Sequence, residues 1–203
     1  MNFAENDMAT PSVSVVTTAD DVQGPPQGRW TYDAYAALHD DERYEIIDGV
    51  LYMAPAPGAP HQTTVGWFVF YLTTHVQIKK RGRVLPAPFD VELAPSSVVQ
   101  PDVLVILNDN LGILTPSRVI GAPDLVIEVA SPGTAGYDRR EKQDAYALAG
   151  VREYWIADPA SKTIEVLQLQ DDRYRLVGVF QNGAILPSTV VPNMPVHVDQ
   201  FFA

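Results

Sequence analysis

Cysteine is absent from the 203 residues. Its absence excludes disulfides, thiolate metal ligands and a cysteine nucleophile, and agrees with a cytoplasmic location. No apolar run approaches the ~20 residues that span a bilayer. The opening stretch MNFAENDMATPSVSVV has neither a basic segment nor a long apolar one, so neither a membrane anchor nor a signal peptide is expected. Positive charge is scarce: 14 Lys and Arg stand against 25 Asp and Glu, for a net charge of −11. A general nucleic-acid binder carries a basic surface, so any nucleic-acid contact here has to be local. Two candidate patches exist, KKRGR at 79–83 and the group Arg139, Arg140 and Lys142. The first also reads as a solvated helix end, whose cations suit the C-terminal dipole.

Hydrophobic residues make up 46% and charged residues 19%, which is enough apolar material for one globular core. Residues 1–28 are rich in Pro, Ser, Thr and Asp and end in QGPPQG, which reads as a flexible tail preceding a single domain over 29–203. A short helix is expected over 31–39, with Thr31 as its cap. In RYEIIDGVLYMAP (43–55), two apolar runs flank Asp48-Gly49, the signal for a hairpin with a type I′ turn. Strand alternation sends Glu45 outward on the first arm. The 61–82 stretch is the longest helix candidate, with Val65, Phe68, Val69, Leu72 and Val76 at helical spacing and Gly82 at its end. Its run Trp67-Phe68-Val69-Phe70-Tyr71 is apolar on all sides, which suits a helix packed on two faces or a dimer contact. A strand broken by prolines (83–95), an interior strand (98–109) and a connecting loop (111–123) follow. Leu125–Val129 is an apolar strand. Asp138 is expected to cap a helix over 139–149. EYWIAD (153–158) is a further strand, and 162–170 with 173–180 forms an antiparallel hairpin. A helix between two strands suggests a parallel crossover in a mixed sheet.

Acids in apolar surroundings are the chemical signal. Glu128 interrupts the 125–129 run, and an ionised carboxylate buried there costs several kcal/mol unless it is paired or bound to a cation. Asp102 heads the strand PDVLVIL. Asp124 shares the parity of Glu128. If the two strands are neighbours, Asp102 and Glu128 approach each other, and two carboxylates with waters suit a hard cation such as Mg²⁺. Lys142 and Tyr146 lie one turn apart on one face of the next helix. Lys142 can hold a water or stabilise a phosphoryl oxygen, an arrangement for phosphodiester hydrolysis. The plainer reading makes Glu128–Lys142 a structural ion pair, Asp102 a turn cap, His61 a helix cap or surface residue and Tyr146 core.

The pattern PDV…PDLVIEVASP…YDRREKQDAYALAGVREYWIADP, with RYEIIDGVLYM and His61, resembles the bacterial Uma-type family of putative restriction endonucleases, within the PD-(D/E)xK nuclease superfamily. The resemblance runs from about Arg29 to Val198. It implies a restriction-endonuclease-like α/β (α+β) fold, a mixed sheet flanked by helices, here extended by the antiparallel hairpin. It further implies metal binding by Asp102 and Glu128, an auxiliary acid at Glu45, and DNA as substrate of a homodimer. The motif lysine would stand two residues after Glu128, where this chain has Ala130, and Lys142 replaces it from the following helix. His61 and Tyr146 are candidate supporting residues. The reading is thus an endonuclease using Mg²⁺, with Mn²⁺ as the substitute ion. The alternative is a non-catalytic binding or assembly module on the same scaffold. A two-carboxylate sugar hydrolase is the weakest reading, since no aromatic sugar platform is recognisable.

Overall fold

The computed structural model describes residues 15–38, 42–53, 56–131 and 135–203, without the side chains of 135, 138 and 139. Expectations for residues 1–14, for the end of the first helix at His39, for the Pro132-Gly133 turn, and for the Asp138 and Arg139 side chains lie outside the described residues.

In chain order the elements are β1 (Thr17–Thr18), α1 (Tyr32–Ala36), β2 (Tyr44–Ile47), β3 (Val50–Met53), α2 (Ala59–Leu72), β4 (Gly82–Pro86), β5 (Val91–Ala94), β6 (Ser97–Val99), β7 (Val103–Leu107), β8 (Val119–Ile120), β9 (Leu125–Val129), β10 (Glu153–Asp158), β11 (Thr163–Gln170) and β12 (Arg173–Gln181). A helix at 135–149 lies between β9 and β10. It starts at Ala135, widens into a π-helical turn over Asp138–Lys142, and continues as α-helix over Gln143–Ala149. Gly150, at φ 93°, ends it in the left-handed conformation that suits a residue without Cβ. Helical backbone therefore precedes Asp138, which is not the helix start expected from the sequence.

Two mixed six-stranded sheets replace the single one expected. The first runs β1-β3-β2-β6-β5-β8 and the second β12-β11-β10-β9-β7-β4. In the second, β9 and β10 are parallel across the helical crossover, while β7 lies antiparallel on the other side of β9. The expected interior strand at 98–109 is split. β6 belongs to one sheet and β7 to the other, so Gln100, Pro101 and Asp102 carry the chain between them. Asp48 and Gly49 both take positive φ, as the hairpin turn requires.

Three apolar layers result. Phe68, Leu72, Ile127, Trp155 and Phe201 belong to the core between the second sheet, α2 and the C-terminal 3₁₀ turn. Ile47, Leu104, Val126, Tyr146 and Ile156 fill the middle, between the sheets and the 135–149 helix. Trp30, Tyr44, Ile46 and Leu51 pack under α1. Because β2 is covered on both faces, its four residues are all buried and Glu45 does not point to solvent. The outward reading of Glu45 is thereby corrected.

Two further expectations change. The folded part begins before Arg29: Thr17 and Thr18 pair with β3, and the Gln27 side chain accepts from Leu51 N at 2.8 Å. Gly82 opens β4 rather than closing the long helix, because a Cβ there would meet the Ile106 carbonyl oxygen at 2.2 Å. A π-helical turn over Thr73–Gln77 follows α2, and Lys80, at φ 56°, takes the left-handed position instead.

Candidate active site

Register decides which acids meet. Val103 pairs with Ile127 and Leu104 with Val126, and one further step of that register sets Asp102, just ahead of β7, across from Glu128. Asp124 shares the parity of Glu128 but sits at the other end of β9. There it accepts from Leu107 N at 2.6 Å and is bridged by Arg152. It fastens the strand ends and takes no part in the site.

Glu128 is 3% exposed. Its Oε1 receives Lys142 Nζ at 2.8 Å and the Tyr146 hydroxyl at 2.6 Å. Both donors come from the 135–149 helix, one turn apart. Lys142 Nζ also reaches Glu45 Oε1 at 2.9 Å, and that oxygen accepts from Gln100 N at 2.7 Å. One ammonium thus bridges a carboxylate from each sheet. Asp102 Oδ2 accepts from Val129 N at 2.8 Å and lies 3.1 Å from His61 Nε2. His61 Nδ1 is buried with no hydrogen-bond partner among the described residues. This suits the tautomer that carries its proton on Nε2 and donates it to Asp102, since a protonated Nδ1 would be a buried donor without an acceptor.

Glu45, Glu128, Lys142 and Tyr146 therefore share one polar network, and His61 and Asp102 form a second group that meets it at β9 through Val129 N, next to Glu128. Tyr146 is held far above the ordinary tyrosine pKa, chiefly by burial and then by the charges of Glu128 and Glu45. It is a neutral hydrogen-bond donor rather than a phenolate base. Beside the network, His61, Gly58, Pro60, Ala130, Ser131 and Pro159 contribute to the lining of a cleft of about 480 Å³.

Gln100 was missed in the sequence. Its backbone holds Glu45, and its side chain donates to Asp90 Oδ1 at 2.8 Å and to the Tyr35 hydroxyl at 3.1 Å. The signal was faint: one amide before Pro-Asp, at the passage between sheets. The KKRGR patch does not rim this site. From His61 to Lys79, at about 1.5 Å per residue, the separation is roughly 27 Å. Gly82 likewise pairs with Leu107, at the end of β7 away from Asp102.

Among the described residues, no group of three or more His, Asp or Glu side chains is arranged to hold a metal. The donor chemistry of Asp102 and Glu128 nonetheless fits a hard divalent cation: two carboxylates from adjoining segments of one sheet, with water completing the shell. Two carboxylates, Glu45 and Glu128, share the single ammonium of Lys142, which leaves that group with one formal negative charge.

The sequence profile of the family described as "Uma2: Putative restriction endonuclease" matches residues 31–198. The chain belongs to this family. Among solved structures, it is similar to a putative nuclease of the DUF820 group from Anabaena variabilis. The two are 19% identical, with a TM-score of 0.72 over 85% of this chain and 97% of that one. At that identity the likeness establishes the fold, which the Uma2 chain shares over nearly its whole described length. No curated protein matches. Among the described residues, no helix is long and apolar enough to cross a membrane.

Proposed function

We propose that this Uma2 chain is a divalent-metal-dependent endonuclease acting on DNA, with Asp102 and Glu128 as the residues that hold Mg²⁺ or Mn²⁺. The observation that supports the reading is that Asp102 leads into β7 beside β9, where it accepts from Val129 N, next to Glu128, with Lys142 at 2.8 Å from Glu128. A buried carboxylate held by a specific charge partner beside a cleft is a functional-site candidate.

When bound, the ion would lower the pKa of an attacking water and stabilise charge on the phosphoryl oxygens. The side chains supply the rest. Lys142 fixes Glu128 and Glu45 by bridging them, and its ammonium supplies positive charge to the site. Tyr146 orients Glu128 by donating to the oxygen that Lys142 also binds. His61 and Val129 N fix Asp102. Gln100 N fixes Glu45, which orients Lys142 from the first sheet. The cleft beside His61 gives a phosphodiester strand access to this face.

The test is calorimetric titration of Mg²⁺ and Mn²⁺ into wild type and Glu128→Gln, with plasmid nicking on the same samples. Saturable binding and nicking in wild type, both lost in the variant, is the expected result. Wild type that is folded but binds neither ion overturns the reading. The scaffold would then act as a binding or assembly module, with Glu128–Lys142 a structural pair. The lack of a three-ligand cluster among the described residues favours that second reading.

A further inference from the structure

Residues 100–102 carry the chain from one sheet to the other and lie outside both ladders. Pro101 has no N–H to donate, and it restricts Gln100 to an extended backbone. Two of the candidate acids are attached to this passage. Glu45 Oε1 accepts from its first amide, Gln100 N, at 2.7 Å, and Asp102 is its last residue. Strand pairing does not hold such a segment, so side chains have to.

The Gln100 side chain is the anchor, and both ends of its amide are engaged. Nε2 donates to Asp90 Oδ1 at 2.8 Å and to the Tyr35 hydroxyl at 3.1 Å, while Oε1 accepts from Arg43 Nε at 3.3 Å. The Tyr35 hydroxyl donates to Asp90 Oδ1 at 3.3 Å and closes a triangle. Burial, and then the Asp90 charge, hold that hydroxyl above the ordinary tyrosine pKa, so it stays a donor. The three partners come from α1, from the residue ahead of β2 and from the residue ahead of β5. Gln100 is 9% exposed, so water does not readily replace a bond lost there.

We propose that Tyr35 and Asp90 are positioning residues for the candidate site: by gripping the Gln100 side chain they fix the amide that seats Glu45, and through Glu45 they set where the Lys142 ammonium stands between the two sheets. The path is a run of direct contacts. The Glu45 oxygen that accepts from Gln100 N is the one that Lys142 Nζ reaches at 2.9 Å, and Nζ lies 2.8 Å from Glu128 Oε1. Among the described residues, Tyr35 and Asp90 make no hydrogen bond or ion pair to Glu45, Asp102, Glu128 or Lys142, so their effect travels through Gln100. With the grip slackened, Glu45 loses its seat and Lys142 rests on Glu128 alone. A carboxylate engaged by a whole ammonium is a poorer ligand for a divalent ion than one that shares it. The consequence for metal binding rests on the nuclease reading; the positioning of Lys142 does not.

Lys142 reports its own position. Of the four lysines, Lys79, Lys80 and Lys162 are exposed and Lys142 is buried, so its ammonium protons are the ones shielded from exchange with water and observable by NMR. Gln100→Glu replaces the donor to Asp90 with a second carboxylate and is expected to broaden or abolish that signal. Adding Asp90→Asn swaps donor and acceptor across the same contact and is expected to restore it. Tyr35→Phe deletes one hydroxyl and is expected to act in the same direction, more weakly; it carries the test if Gln100→Glu does not fold. Titration of Mn²⁺ by calorimetry on the same samples is expected to give a Kd about tenfold weaker in Gln100→Glu, recovered in the swapped pair, as for other residues that orient metal ligands. A Lys142 signal unmoved by Gln100→Glu and by Tyr35→Phe overturns the proposal, and so does a signal lost in Gln100→Glu that the swap does not return. A Kd that stays constant while the Lys142 signal moves overturns the consequence for metal binding. If wild type binds no ion but the Lys142 signal falls and returns with the swap, the nuclease reading fails and the positioning stands.

Discussion

Glu153 and Glu128 are buried acids on neighbouring strands of one sheet, and they are answered in opposite ways. Glu153 is 0% exposed and accepts from five donors: Trp155 Nε1, Gln168 Nε2, Ser188 Oγ, and both the backbone N and the hydroxyl of Thr189. None carries a charge. The carboxylate is fully solvated by protein, and its position fastens the C-terminal segment to β10. Glu128 is answered by an ammonium and a phenol, and that ammonium is shared with Glu45. Neutral dipoles saturate one acid and hold it in place. The other keeps a network of charge that has not been balanced to zero. The first arrangement suits structure and the second suits chemistry.

Substitutions should separate the two. The largest loss of stability is expected at Glu153→Leu, which strands several buried donors: about 5 kcal/mol, read by urea denaturation, with the activity of the remaining folded fraction unchanged. A loss under ~1 kcal/mol would show that the segment closes without it. Lys142→Met comes next. It leaves Glu45 and Glu128 facing each other without a cation and should destabilise by about 3 kcal/mol at neutral pH. Part of that loss should return as pH falls and one acid takes a proton. A pH-independent loss would mean that Lys142 matters through packing. The smallest effect is expected at Tyr146→Phe. The folded pKa of Tyr146 is raised above its ordinary value of 10, so its proton is kept in the folded chain and released on unfolding. Its stabilising contribution is full below pH 10 and declines as pH rises above that value. Tyr146→Phe should therefore flatten the alkaline fall in stability by up to ~1.4 kcal/mol per pH unit, measured by denaturation between pH 9 and 11. Tyr35 and Tyr174, also raised by burial, would keep part of the slope.

The contrast also explains what was legible beforehand. Glu128 stood out because its strand is otherwise a continuous apolar run, and Lys142 and Tyr146 because helical spacing put them one turn apart. Local patterns carried the Asp48-Gly49 hairpin and the crossover that makes β9 and β10 parallel. Glu45 was misread because alternation assumes one wet face, whereas apolar layers cover both sides of β2. The second sheet was hidden because the passage through Gln100 and Pro101 reads as one strand interrupted by a proline. Glu153 gave no signal at all. It opens EYWIAD, where an acid looks like a strand boundary, and Ser188 and Thr189 are remote in sequence.

That remoteness has a consequence for how the protein is made. Ser188 lies 35 residues after Glu153. At about 5–20 residues per second, the ribosome adds such a length in ~2–7 s. For that interval β10 exists with its acid still in want of most of its donors. The order of synthesis therefore delays completion of this sheet until after the strands that carry the site have been made.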